Sequence, residues 1–142
     1  MSGLATDIET VLPHRPPLLM ISGVATHDAH GLTATGRVDR DNPLLQDGAL
    51  PGHAGLELIA QASGVWLGLS RKGEAGPGAI VTVRDMRVHL PWLDSQEKIT
   101  VESAFLGGDE RAAMFRGTVF VKGDVAVEAT IMVGTFAAGG MS

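Results

Sequence analysis

The sequence predicts an α+β fold in which a curved antiparallel sheet wraps one long helix, and three observations carry that prediction. Residues 50–68 read as a single helix, apolar on nearly every side. From Ala79 onward the pattern changes to the period-two alternation of strands. Two shorter strand-like runs precede the helix, so the order is two strands, one helix and about four strands. A helix needing cover on most sides, followed by a strand meander, is best satisfied by a sheet curled around it.

Each element has its own local cause. Thr6 followed by Glu9 resembles a capping box and predicts a short helical turn that ends before Pro13. The segment Pro13-His14-Arg15-Pro16-Pro17 lacks three backbone donors and reads as an extended lead-in. Leu18–Thr26 and Leu32–Val38 are the first two strands, with Asp28-Ala29-His30-Gly31 as their turn. The polar loop 39–49 feeds the helix, which is expected to stop at Ser70-Arg71-Lys72-Gly73, where cations complement the dipole and Gly ends the run. Ala79–Leu90, Ile99–Phe105, Ala112–Lys122 and Val125–Phe136 are the later strands. Gly107-Gly108-Asp109-Glu110 turns the chain between the second and third, and Gly123-Asp124 is the last hairpin turn. The tail 137–142 is expected to be mobile.

Composition excludes several classes of function. A chain of 142 residues fits one domain, 1–142. The absence of cysteine removes disulfides and thiolate zinc sites, and the five histidines lack the paired spacing of a metal site, so no metal or cofactor is expected. A net charge of −5 without a Lys/Arg cluster argues against nucleic acid as a partner. No basic region followed by an apolar run opens the chain, and no run is long enough to span a bilayer, so a cytoplasmic protein without membrane contact is expected.

The helix carries the candidate chemistry. Glu57 lies in the first turns of an apolar helix, where an ionised carboxylate is costly to bury without a partner; the plainer role is favourable pairing with the helix dipole. Gln61 follows one turn later on the same face, and His53 precedes Glu57 by one turn, a spacing that permits a His–Glu pair. Gly52 and Gly55 allow a substrate to approach the backbone, or relieve crowding at the helix entrance. His14 in the lead-in is a structural anchor or a substrate contact. His27, His30 and His89 read as solvated.

Several motifs succeed one another as in a known family: Leu12-Pro13-His14-Arg15-Pro16-Pro17-Leu18-Leu19-Met20, Asn42-Pro43-Leu44-Leu45, Pro51-Gly52, Glu57-Leu58-Ile59-Ala60-Gln61-Ala62-Ser63-Gly64, Val83-Arg84-Asp85-Met86-Arg87-Val88 before Pro91, and Gly123-Asp124-Val125-Ala126-Val127-Glu128-Ala129. Over roughly residues 10–135 the chain resembles the 3-hydroxyacyl-[acyl-carrier-protein] dehydratases of fatty acid synthesis, in particular the branch associated with aryl polyenes and related specialised lipids. The resemblance implies the hotdog fold and the dehydration of 3-hydroxyacyl thioesters, on acyl carrier protein or CoA, to trans-2-enoyl thioesters. It also implies a dimer, homomeric or with another hotdog subunit, because the family's histidine and acid come from opposite subunits.

By that resemblance Glu57 is the helix acid that manages the departing hydroxyl, and Gln61 is the family's glutamine. The match breaks at the base. The family's histidine sits in a Gly-His-Phe-Pro stretch whose register here falls on Asn42-Pro43-Leu44-Leu45, without histidine. His53, or a histidine from another subunit, is therefore the expected catalytic partner of Glu57, with Gly52, Gly55, Gln61 and His14 as substrate-binding residues. Arg84 and Arg87, with Arg71 and Lys72, are expected to meet the acidic carrier protein or a pantetheine phosphate. Two other readings share these residues: a non-catalytic or half-active hotdog subunit paired with an active one, and a hotdog acyl thioesterase.

Overall fold

The computed structural model describes residues 8–12, 14–70, 78–109 and 111–135. Strands β1 (Ile21–Asp28), β2 (Gly31–Gly36) and β3 (Leu50–Pro51) precede helix α1 (Gly55–Ser70). β4 (Gly78–Val88), β5 (Trp92–Leu93), β6 (Ile99–Gly108), β7 (Ala112–Val121) and β8 (Asp124–Thr135) follow it. Six strands form one antiparallel sheet in the order β1-β2-β6-β7-β8-β4, while β3 and β5 pair separately. This is the expected hotdog arrangement, with α1 lying against the inner face of the curled sheet.

The strand pattern explains that face. Along β7, Ala113, Phe115, Gly117, Val119 and Val121 are buried, and their alternating neighbours Ala112 to Phe120 are half-buried. Val127, Ala129, Ile131 and Val133 of β8 join the same layer. Leu58, Ile59, Ala62 and Val65 of α1 are fully buried against it, and each large side chain among them contributes about 1.5–3 kcal/mol of transfer free energy. Register shifts interrupt the β1–β2, β4–β8, β6–β7 and β7–β8 ladders, and such bulges bend strands, which lets the sheet curl around the helix.

Ser63 and Trp66 are satisfied inside the core. Ser63 Oγ donates to the Ile59 carbonyl and meets Ser103 Oγ at 2.8 Å, so this mid-helix serine bonds back to its own turn. Trp66 donates Nε1–H to the Asp28 carbonyl at 2.8 Å and stacks on Phe105 with ring centroids 4.4 Å apart.

The structure shifts some boundaries. Leu50 and Pro51 are a short strand, not the first helical residues: Pro51 is extended (φ −57°, ψ 142°) and pairs with Trp92. A 3-10 turn, Gly52–Ala54, intervenes before α1. β1 begins at Ile21, three residues after the expected Leu18. The last hairpin turns at Lys122-Gly123, both with positive φ (52° and 84°), and Asp124 already pairs with Val121. Asp28 Oδ1 accepts from the His30 and Gly31 amides at 2.8 and 3.1 Å, which closes the first turn as its sequence implies. The expected helix stop at 71–73 and the tail 137–142 lie outside the described residues.

Candidate active site

A cleft of about 570 Å³ opens where the lead-in, the loop before the helix and the first turns of α1 meet. Leu18, Pro43, Leu44, Leu56 and Ile80 give it apolar walls, and His14, His53 and Glu57 supply its titratable groups. The register at which the family carries its histidine therefore lies on the cleft wall, as the apolar Pro43 and Leu44.

Glu57 enters from the first turn of α1. Its carboxylate faces His14, with Nε2 3.6 Å from Oε1 and the two side chains 29% and 34% exposed. A half-buried pair at a cleft mouth is open to substrate yet shielded from bulk water on one side. The other ring nitrogen of His14, Nδ1, is buried and has no hydrogen-bond partner among the described residues.

His14 reaches this position because the lead-in is fastened at both ends. Arg15 donates to the carbonyls of Leu12, His14 and Glu9 and pairs with the Glu9 carboxylate at 3.1 Å. Beyond it, Gln61 Oε1 accepts from the Met20 amide at 2.7 Å, and Gln61 Nε2 donates to the Leu18 carbonyl at 3.0 Å.

The expected site residues distribute unevenly. His14, His53, Glu57 and Gln61 come together around the cleft. Within the chain, however, the ion-pair neighbour of Glu57 is His14, not His53, which is exposed in the 3-10 turn. Gln61 is fully buried, and both ends of its amide are committed to backbone instead of being presented to a substrate. Gly52 and Gly55 are glycines for packing. A side chain at Gly52 would collide with the Leu90 carbonyl, and one at Gly55 would stand 2.6 Å from Val127 Cγ2. The Gly52 amide donates to the Pro91 carbonyl at 2.7 Å, so it is already occupied.

Arg84 and Arg87 are exposed on β4, away from the cleft, flanking a bulge at Asp85 (φ 53°). Arg71 and Lys72 lie outside the described residues. His89 is exposed, as expected, and also pairs with Glu128 at 2.7 Å, while Glu128 bonds Arg116 at 2.5 Å. These two partners, His89 foremost, hold the Glu128 carboxyl below the usual glutamate range. The lead-in, expected to be extended, instead turns at residues 16–18, where the Arg15 carbonyl accepts from the amides of Leu18 and Leu19, and no local pattern in the sequence marked His14 over His53.

Comparison with known proteins gives the lineage. The family model for the ApeP-like dehydratases matches residues 6–137. The chain belongs to the ApeP-like dehydratase family. It is 30% identical over 135 residues to the 3-hydroxyacyl-[acyl-carrier-protein] dehydratase FabZ of Pectobacterium atrosepticum, covering 89% of this chain and 88% of the relative. The FabZ of Sodalis glossinidius is 29% identical over the same length and coverage. Among solved structures, the dehydratase heterocomplex ApeI:P from Xenorhabdus doucetiae superposes with a TM-score of 0.85 at 26% identity, over 96% of this chain and 95% of that one. A thioesterase from Pseudomonas aeruginosa superposes at 0.60 with 16% identity, over 81% of each chain. At that distance, the likeness of this ApeP-like dehydratase to the thioesterase is one of fold alone. No helix among the described residues is long and apolar enough to cross a membrane.

Proposed function

We propose that this chain removes water from 3-hydroxyacyl thioesters carried on acyl carrier protein, giving trans-2-enoyl thioesters. The observation that carries the reading is the His14–Glu57 pair, 3.6 Å apart at the mouth of an apolar-walled cleft, in a chain of a dehydratase family. Dehydration needs a base at C2, an acid at the C3 hydroxyl and a donor for the thioester oxygen as enolate character develops.

His14 takes the C2 proton, and the C–H electron pair becomes the C2–C3 double bond. Glu57 gives a proton to the C3 hydroxyl, which leaves as water with the C–O electrons. The pair then holds one transferable proton, as it did before the reaction, moved from carboxyl to imidazole. Transfer back to Glu57 restores the starting state. Because the Gly52 amide is occupied by Pro91, the amide of His53 at the start of the 3-10 turn is the donor for the thioester oxygen.

Pairing with a second hotdog subunit, identical or not, belongs to the same proposal. It is supported by the free β4 edge of the sheet, by exposed Val83, Val88 and Trp92 beside it, and by the relative that is itself part of a dehydratase heterocomplex. Arg84 and Arg87, on the outer side of that strand, are the contacts proposed for an acidic carrier or a pantetheine phosphate.

The test incubates the purified protein with a 3-hydroxyacyl thioester on carrier protein and follows enoyl thioester by absorbance and mass spectrometry. Enoyl product that is lost in both His14→Ala and Glu57→Gln is the expected result. Full turnover by Glu57→Gln would overturn the site, and release of free acid in place of enoyl product would overturn the reaction.

A further inference from the structure

We infer that Gln61 is the positioning residue of this site: from the floor of the cleft it holds the strap 14–20, and with it the imidazole of His14, over Glu57. The inference rests on the proposed role of His14. It goes further in assigning the geometry of the base to a side chain that touches neither substrate nor imidazole.

Three observations converge. Gln61 is fully buried in α1, one turn beyond Glu57, so its backbone is as fixed as that of the acid. Its amide makes two bonds across the long sequence separations of 41 and 43 residues, accepting from Met20 N–H and donating to Leu18 C=O. A carboxamide is the one side-chain type that offers a donor and an acceptor side by side without charge, which matches a strap presenting a carbonyl and an amide two residues apart.

The strap's other fastenings lie at its two ends. Two of its residues are prolines and a third follows them in a turn, so it meets the sheet only at its far end, where the Met20 carbonyl accepts from the Arg37 amide at 2.8 Å just before β1 begins at Ile21. Arg15 ties its start to its own neighbours Leu12, His14 and Glu9, not to the helix. Leu18 is exposed at the cleft, so apolar burial anchors the strap at its end, where Met20 is fully buried, and not in its middle. Gln61 is therefore the side chain of α1 that bonds the strap between its ends, and it sets how far His14 stands from Glu57. A displacement of about 1 Å at a reacting group costs up to roughly 100-fold in rate.

The experiment compares wild type, Gln61→Met, Gln61→Glu, His14→Ala and the double variant His14→Ala/Gln61→Met. For each we would record kcat and KM on a 3-hydroxyacyl thioester, Tm, and the imidazole ¹H–¹⁵N resonances of His14, assigned by their loss in His14→Ala. Gln61→Met leaves the Met20 amide and Leu18 carbonyl unpaired and is expected to lower kcat roughly 10- to 100-fold with KM within about threefold, while moving the His14 resonance. Gln61→Glu keeps the acceptor for Met20 and, as a carboxylate, loses the donor to Leu18, so its effect falls between. In the double variant, kcat equals that of His14→Ala, because a misplaced base that is absent costs nothing more.

Unchanged His14 resonances and kcat in Gln61→Met, or losses that add in the double variant, would overturn the inference even where Tm falls. Should Gln61→Met fail to fold, the near-isosteric Gln61→Glu answers the same question. Full turnover in His14→Ala overturns the role of His14 as base and the inference that rests on it. Lost turnover in His14→Ala with unaltered turnover and resonances in both Gln61 variants overturns the role of Gln61 alone.

Discussion

The β7–β8 hairpin and the strap 14–20 are held together by opposite means. The hairpin runs as a ladder from Ala112↔Gly134 to Val121↔Asp124, its inner face is a row of buried apolar residues broken only at Gly117, where Ile59 packs, and its outer face adds Arg116–Glu128. Pairing there is repeated along the strands, with one register shift between Val119 and Phe120. The strap meets the sheet only where the Met20 carbonyl accepts from the Arg37 amide, and its middle is joined to the helix by the two bonds of a single glutamine. Redundant contacts tolerate the loss of one member, whereas a group held by one link moves when that link is cut. The chain thus builds its scaffold from repetition and its candidate chemistry from single, long-range contacts.

That contrast breaks most sharply at the acid and the base. Glu57→Gln and His14→Ala are expected to lower kcat/KM by roughly 10²–10⁴-fold, the usual worth of positioned acid–base groups, with Tm nearly unchanged. Steady-state kinetics beside a thermal melt measures both halves, and a large fall in Tm would mean the pair is structural. The reverse profile is expected in the scaffold. Phe115→Ala empties a fully buried site between Trp66 and Phe105 and is expected to cost about 3–5 kcal/mol in denaturant unfolding. Turnover per folded molecule should survive, and its loss would show that sheet and cleft are not separable.

Smaller effects sharpen the same division. Glu128→Gln removes the shared partner of His89 and Arg116 on the outer face of the sheet. Because the folded carboxyl is held below its ordinary range, its contribution is present above the unfolded glutamate range and disappears as pH falls through the folded value. The Tm difference from wild type should therefore be largest near neutrality and shrink in acid; a difference constant with pH would contradict this. Least of all, Lys122→Asn replaces a residue held at φ 52° by one that tolerates that conformation beside Gly123. It should stabilise the hairpin by about 0.5 kcal/mol without altering kinetics.

Much of the fold was legible because periodicity is local. The alternation through Ala113, Phe115, Val119 and Val121 and the apolar character of α1 required only neighbouring residues, and the burial follows them. The short β3–β5 pair was not legible, since Leu50-Pro51 and Trp92-Leu93 have no pattern apart from each other. In the cleft, Glu57 was conspicuous by itself as a carboxylate in an apolar helix. Its neighbour was not, because a spacing of one turn favours His53 only if the helix has already begun, and the chain instead makes a 3-10 turn there.

By itself the sequence determined the α+β order, the long buried helix, the acid and the family resemblance, all of which depend on residue type and on short-range spacing. Tertiary structure decided which histidine faces Glu57, why Gly52 and Gly55 lack side chains and what Gln61 binds. The physical reason is the same for each: these are contacts between segments about 35 to 70 residues apart, and only the folded chain fixes distances of that kind.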